Sequence, residues 1–232
     1  MLQDQYDIYQ LRTKELSEEE TIILDFMKDN SRVLEFGCNA GKLSKELKKQ
    51  KNSFIVGVDI DQRISETAKS NMDKFIQGNI ENDVILSECY NQGKFDYILL
   101  LHVIEHLVDP WIFLKKIKNL LNRNGKIICS TPNIANWNSR ALLFFKGRWD
   151  YQEIGVMDIT HLRFFTPKTL IYAFIQANFQ VEKLLYLHPI IPIVDNLSFL
   201  IRFRKIFIKL TKKILPPALW ASALMTIVKL ES

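Results

Sequence analysis

Two groups of residues in this 232-residue chain have the types and spacing to do chemistry. The first is the turn Glu35-x-Gly37-x-x-x-Gly41, with Cys38 and Asn39 inside it, followed by Asp59. Glycines at such a turn let the backbone approach a ligand and swing sharply into a helix N-terminus. An acid about twenty residues further on, closing the next strand, suits a ribose diol. Together they point to an adenosine-containing cofactor at the carboxyl ends of parallel strands. The loop is not the dinucleotide fingerprint, because Asn39 stands where that pattern needs glycine. It is not a Walker A loop either: Gly41-Lys42 is followed by Leu43, and Phe36 occupies the place of the first glycine. With one glycine fewer to cradle a pyrophosphate, it favours a nucleoside without phosphates, namely S-adenosylmethionine (SAM).

The second group is His102-Val-Ile-Glu105-His106, joined by His161 in DITHLRFFT. Methyl transfer from a sulfonium is a direct displacement. It needs a nucleophile in line with the methyl group, exclusion of water, and removal of a proton when the nucleophile is a hydroxyl. His102, at the carboxyl end of an apolar strand, is the best-placed base; His161, Glu105 and His106 are the other catalytic candidates. HVIEH also matches the H-x-x-E-H pattern of a zinc-peptidase class. That chemistry needs both histidines on one helix face, whereas here His102 follows directly on FDYILLL and Asp109-Pro110 soon ends the segment.

The elements that must hold these groups alternate. Residues 1–29 predict an N-terminal helical region, with a helix over 15–28 that Ser17 and Glu20 open as a capping box. RVLEFG is a short strand, residues 40–50 a helix, FIVGVDI a strand buried on both faces, and residues 61–71 a polar helix. FDYILLL is a third strand. Residues 110–121 form a helix with Pro at its first turn, and GKIICSTP a strand after an Asn-Gly turn. This rhythm predicts a doubly wound α/β fold: a parallel sheet with helices on both faces. Residues 131–166 break it. They are rich in aromatic and polar side chains without a clear period, as a lid or binding loop would be. PKTLIYAFIQAN resumes as a helix, FQVEKLLYLH as a strand, and residues 223–230 as a last strand.

VLEFGCNAGKLS, VGVDID, QGNIE and FDYILLLHVIEHLVDP, in this order and spacing, resemble class I SAM-dependent methyltransferases, in particular the group that includes the ubiquinone-biosynthesis O-methyltransferases. The resemblance covers roughly residues 30–180. It implies one domain over residues 1–232 with a mostly parallel seven-stranded sheet, and SAM as cofactor. It implies that Glu35, Gly37 and Gly41 line the methionine and ribose of SAM, with Cys38 and Asn39 in the same loop. Asp59 would take the ribose hydroxyls, with Ile60 beside the adenine. Asn79 and Ile80 would sit at the adenine edge, and Leu101 with His102 near the amino-acid end. Some relatives carry E-x-x-E-H at residues 102–106 and use it for a divalent metal. Here His102 replaces the first acid. With His161 the group could still assemble mixed nitrogen and oxygen ligands, but magnesium prefers oxygen, and no metal is expected. The segment TPNIANWNSR…GRWDY…GVMDITHLRFFT resembles the substrate side of methyltransferases of bacterial surface-polysaccharide biosynthesis. It implies a sugar, glycan or lipid-linked acceptor, with Trp137, Trp149 and Tyr151 stacking and Asn133, Asn136, Arg140 and Arg148 binding hydroxyls or phosphates; Phe164 and Phe165 read better as lid core. A quinone- or phenol-type acceptor is the alternative, and a non-catalytic SAM-binding module a further one.

Composition sets bounds on partners. The net charge of +5 is uneven: residues 196–232 contribute +6, leaving −1 for the rest, so no nucleic-acid-coating surface is expected. Within 199–214, apolar residues recur at helical spacing with Arg202, Lys205, Lys209 and Lys212 on another side. This basic amphipathic segment, part of 190–218, either packs over the sheet with its lysines in water or lies on an anionic membrane surface. Cys38, Cys89 and Cys129 form no metal-ligand pair or disulfide framework, and the polar N-terminus shows no signal peptide; both suit a cytoplasmic location, at most peripheral at the inner membrane face. The sequence does not fix an oligomeric state.

Overall fold

The computed structural model describes residues 16–189 and 216–231. Helix α1 (Glu18–Phe26) opens it, started by the expected capping box: Ser17 Oγ accepts from Glu20 N and the Glu20 carboxylate accepts from Ser17 N. The elements then run β1 (Arg32–Phe36), α2 (Lys42–Lys51), β2 (Phe54–Asp59), α3 (Ser65–Asn71), β3 (Lys74–Gln77), α4 (Asp83–Tyr90), β4 (Phe95–Leu101), α5 (Pro110–Ile117), β5 (Leu121–Pro132), α6 (Trp137–Lys146), α7 (Pro167–Gln176), β6 (Phe179–Pro189), α8 (Pro217–Trp220) and β7 (Ala221–Leu230).

The seven strands form one sheet in the order β3-β2-β1-β4-β5-β7-β6. The first five strands pair in parallel, while β7 lies antiparallel between β5 and β6. Successive residues of the central strands enter opposite cores, as the period-two pleat requires. Leu34, Phe36, Ile98 and Leu100 pack with Phe113, Phe174 and Phe179 on one face. Val33, Tyr97, Leu99 and Ile128 pack with Ile23, Leu47 and Met72 on the other. Strands buried on both faces explain the near-continuous apolar runs FIVGVD and FDYILLL. The sheet is therefore doubly wound and mostly parallel.

Four details differ from the sequence expectation. The short strand β3 and the helix α4 were not foreseen; β3 spans four residues, too few to show a period, and α4 is marked by its cap, Asn82 Oδ1 accepting from Val84 N. The Asn124-Gly125 pair does not precede β5 but lies inside it, where the pairing with β4 jumps from Phe95↔Leu121 to Tyr97↔Lys126 and the extra residues bulge. Residues 131–166 are not wholly irregular, because they contain α6, capped by Asn136 accepting from Ser139 N. The basic segment 199–214 and the first part of the expected N-terminal helical region lie outside the described residues. Among the described residues no helix is long and apolar enough to cross a membrane.

Candidate active site

The glycine turn joins β1 to α2. Gly37 and Gly41 both have left-handed backbone angles, φ 68° and 76°. A Cβ at Gly37 would lie 2.5 Å from Val103 Cγ2, and one at Gly41 would lie 2.8 Å from Met72 Cε. Both positions thus need glycine for angle and for space. The turn is tied to β2: Gly37 N and Cys38 N donate to Val58 O, at 2.8 and 3.2 Å. Asn39 N donates to Asp59 Oδ2 at 2.8 Å, and Asp61 N donates to Asp59 Oδ1 at 2.9 Å. The two halves of the expected cofactor motif therefore meet through Asp59. Burial pushes the Asp59 carboxyl up against the pull of these backbone donors.

Glu35, next to last in β1, lies beneath this turn and is 5% exposed. Ser44 Oγ on α2 donates to its Oε2 at 2.5 Å. Burial pushes the Glu35 carboxyl up to about 7, opposed by Ser44 and assisted by the charges of Glu20 and Asp59. Cys38 is buried beside it, whereas Ile60 is 66% exposed and forms an apolar ledge next to Asp59. Asn79 is exposed on the far side; its Oδ1 accepts from Glu81 N at 2.9 Å, while Ile80 behind it is buried. Acid, glycine turn, apolar ledge and amide line one rim of the sheet, at the carboxyl ends of β1, β2 and β3. These residues fit a nucleoside: the carboxylate suits a diol, the ledge a base and the amide its edge. Nothing in the turn resembles a phosphate cradle.

The acceptor-side candidates gather at the carboxyl ends of β4, β5 and β6. His102 follows Leu101 with a left-handed φ of 53°. Its Nε2 faces both oxygens of Glu19, at 3.1 and 3.2 Å, and its Nδ1 lies 3.4 Å from Glu105 Oε1. Burial works against a charge on His102, but the carboxylates of Glu105 and Glu19 outweigh it and raise its pKa well above the ordinary value. At rest His102 is therefore an imidazolium clamped between two acids rather than a free base. Glu19, 6% exposed on α1, also accepts from Ser130 Oγ at 3.0 Å and faces His188 Nε2 at 3.3 Å. Burial opposes its charge, yet His102 and His188 hold its carboxyl well below the usual range.

Glu19, Ser130 and His188 escaped sequence reasoning. The one signal for Glu19 was its i, i+4 relation to Ile23, which places an acid on the inward stripe of α1.

Glu105, His106 and His161 come together, with one donor atom from each lying within 4.8 Å of the others. Glu105 is 1% exposed and His161 9%. The helical H-x-x-E-H arrangement of the peptidase class is absent, because Ile104–His106 is a single tight turn and His102 points to Glu19. The start of α5 is held without Glu105 or His106: Glu81 accepts from Val108 N and Asp109 N, and Asp109 caps Ile112 N.

The lid expected at 131–166 uses several of its polar residues internally. Asn133 is fully buried and donates to Ala218 O and Ala221 O, Asn136 caps α6, and Arg140 Nε donates to Ala135 O. The two asparagine amides are spent within the fold and are not free for a sugar, which corrects the expectation for Asn133 and Asn136, while the exposed Arg140 uses only its Nε. Arg148 is exposed and paired with Asp150 at 2.6 Å. Phe165 is core, as expected, and Trp149 packs edge-on against Phe164 at 5.0 Å. A cavity of about 240 Å³ opens beneath the lid, lined by Asn138, Ser139, Gln152, Val156, Met157 and Ser222 among others.

Known proteins resemble this chain in sequence and in fold. A family model described as a methyltransferase domain matches residues 9–184. The ubiquinone biosynthesis O-methyltransferase of Bradyrhizobium diazoefficiens is 36% identical over 111 residues, covering 48% of this chain and 43% of that protein. Its counterpart in Cereibacter sphaeroides is 27% identical over 140 residues, covering 60% and 56%. The chain thus spans about half the length of the curated relatives it matches. Among solved structures, a SAM-dependent methyltransferase from Archaeoglobus fulgidus superposes with a TM-score of 0.61 at 20% identity, covering 90% of each chain. A putative methyltransferase from Bacillus halodurans gives 0.62 at 14% identity, covering 94% of this chain and all of that one. At these identities the structures establish a shared fold. The family model covers well over half of the sequence, and the chain belongs to the SAM-dependent methyltransferase-domain family.

Proposed function

We propose that the protein transfers a methyl group from SAM to a hydroxyl oxygen of a small-molecule or glycan acceptor. The observation that carries this reading is the cofactor rim, where Asp59 is anchored to the glycine turn by Asn39 N and flanked by the exposed Ile60. Asp59 would hold the ribose, Ile60 the adenine face and Asn79 its edge. Glu35, Gly37, Cys38, Asn39 and Gly41 would enclose the rest, with Ile80 and Leu101 as apolar walls. Bound there, SAM supplies an electrophilic methyl group. The chain's own task is to place the acceptor oxygen in line and to take up its proton. His102 stands at the carboxyl end of β4 and is the residue proposed to relay that proton: as an imidazolium it first gives one proton to Glu19 or Glu105, and the ring nitrogen so freed takes the acceptor's. Glu19 fixes its ring from one side and Glu105 from the other. His161 and His106 complete the acceptor wall.

For the acceptor we favour a sugar, glycan or lipid-linked intermediate. The cavity beneath the lid supports this, since the exposed Asn138 and Gln152 on its wall offer amides that match hydroxyls. The names of the curated relatives favour a second reading, a quinone-type phenol.

Calorimetry with SAM and S-adenosylhomocysteine tests the cofactor site. The native protein should bind in the micromolar range, roughly −8 kcal/mol, and Asp59→Ala should abolish it. Absence of binding in the native protein would sink the methyltransferase reading. Transfer of labelled methyl to phenols and to no sugar would overturn the glycan acceptor. His102→Gln should lower turnover while leaving SAM binding intact.

A further inference from the structure

We infer, building on the proposed role of His102, that His188 is the outlet of a proton relay: the proton that His102 hands to Glu19 passes on to His188 and leaves the protein there. The reaction needs such an exit. The His102 side chain is 36% exposed, and an acceptor seated against it would close that path to water. On its Nδ1 side stands Glu105, which is 1% exposed. Among the described residues no hydrogen bond leads on from the Glu105 carboxylate.

Glu19 does lead on. Its Oε2 faces His102 Nε2 at 3.1 Å and accepts from Ser130 Oγ at 3.0 Å, while its Oε1 faces His188 Nε2 at 3.3 Å. The other nitrogen of His188, Nδ1, lies 3.5 Å from Glu18 Oε2. Exposure climbs along this line: the side chains of Glu19, His188 and Glu18 are 7%, 43% and 53% exposed. An imidazole held through both nitrogens passes a proton by taking one on Nε2 and losing another from Nδ1. The backbone marks the same two rings. His102 and His188 have left-handed φ angles of 53° and 50°. The other non-glycine residues at such angles among those described are asparagines, which adopt them readily: Asn30, Asn39, Asn52 and Asn178. Backbone of this kind persists where its surroundings enforce it and gathers at functional sites. Here both exceptions turn Nε2 to one carboxylate, and Ser222 Oγ holds His188 by donating to its carbonyl at 3.0 Å.

The protons balance. The His102 imidazolium gives its Nε2 proton to Glu19, and the freed Nε2 takes the proton that the acceptor hydroxyl loses. Glu19 keeps its proton only in passing, because the two histidines hold its carboxyl ionised against burial. It yields the proton to Nε2 of a neutral His188, which releases its Nδ1 proton to Glu18 or to water. One proton leaves the acceptor, one reaches water, and His102 is again an imidazolium. The charged groups that face His188 are Glu18 and Glu19 on α1 and His102 after β4. The hydrogen bond to Glu19 raises the His188 pKa above the ordinary 6.5, with burial working the other way. The relay needs His188 neutral, so turnover should rise with pH through that raised value.

The test compares the native protein with His188→Asn and His188→Gln. Asparagine suits the left-handed backbone, and neither amide takes up a proton. Transfer from labelled SAM is followed against a panel of phenols and a panel of sugars. Both variants should keep native SAM binding and acceptor KM and lose about tenfold or more in kcat. The rise of kcat with pH should disappear, the solvent isotope effect on kcat should grow, and imidazole in the buffer should restore turnover, with weaker bases restoring less. A residue that merely props up Glu19 would show none of these last three. Native-like kcat in both variants, or a loss that no buffer base repairs, would overturn the relay. Nuclear magnetic resonance of protein with 15N-labelled histidine reads the same path without an acceptor. Titration of His188 should move the ring signals of His102, and Glu19→Gln should uncouple them; two rings that titrate independently in the native protein would also overturn the relay. Calorimetry on the same samples separates the two readings. Native protein that binds no SAM defeats the methyltransferase reading and leaves the coupled histidines standing. Normal SAM binding and transfer with uncoupled histidines defeats the relay alone.

Discussion

Replacing Glu35 by Gln should make the protein more stable above neutral pH and leave its stability in acid little changed. The folded carboxyl holds its proton up to about 7, while the unfolded one releases it near the ordinary 4.5. Between these values the folded chain binds more protons than the unfolded chain, so its stability falls as pH rises through the window. Below 4.5 both states are protonated and there is no penalty. Above 7 both are ionised and the penalty is complete. At about 1.4 kcal/mol per pH unit, the interval from 4.5 to about 7 corresponds to about 3 kcal/mol. Glu35 is 5% exposed, so solvent screening reduces this little. Glutamine keeps an oxygen to accept from Ser44 and has no proton to lose. Urea denaturation of both proteins between pH 4 and 8 supplies the measurement. The variant-minus-native difference should climb by about 3 kcal/mol across the window, with other titrating groups cancelling in the subtraction. Curves that stay parallel would refute the claim that burial holds the proton on Glu35.

Two further outcomes follow from the same rim and core. Gly41→Ala puts a Cβ 2.8 Å from Met72 Cε and 3.0 Å from Asn71 Cβ at a φ of 76°. It should cost about 1–3 kcal/mol in denaturation and weaken SAM binding; an unchanged midpoint would show that the turn relaxes freely. Cys38, Cys89 and Cys129 are free and buried, and burial pushes their thiols up, that of Cys89 to about 12. A thiol reagent at pH 8 should find none of them in the native protein and all three after unfolding, and a fast-reacting native thiol would contradict this burial.

The proposed cofactor half of the site could be read from the sequence because it is local. Strand, glycine turn and helix follow one another within residues 32–51, and Asp59 closes the very next strand. Each of those residue types has one physical reason to be where it is. The acceptor half was only partly legible because long-range contacts assemble it. Glu19 meets His102 across 83 residues, Ser130 across 111 and His188 across 169. No spacing rule reaches that far. The charge on His102 was hidden for the same reason, since one of its two acids sits in a different helix. The lid misled for the opposite reason. Asn133 and Asn136 read as ligand-binding amides, but an amide serves a buried backbone carbonyl or a helix cap equally well. Helix α6 itself was obscured by Phe144 and Phe145, 82% and 73% exposed, which blur the apolar stripe a period is read from.

The place of β7 has a consequence for synthesis. Among the described strands β6 hydrogen-bonds to β7 alone, and β7 follows it in the chain. As the polypeptide leaves the ribosome, β6 therefore appears before the one described strand that pairs with it. At usual elongation rates it waits about 2–8 s for β7 to be made. An unpaired apolar strand of this kind invites pairing with another nascent chain. Glu182 and Lys183 interrupt it with charge, and in the finished sheet Glu182 joins Lys126 of β5 at 2.6 Å and Lys229 of β7 at 3.7 Å. The same carboxylate that deters a foreign strand while β6 is alone becomes a clasp across three strands once β7 arrives.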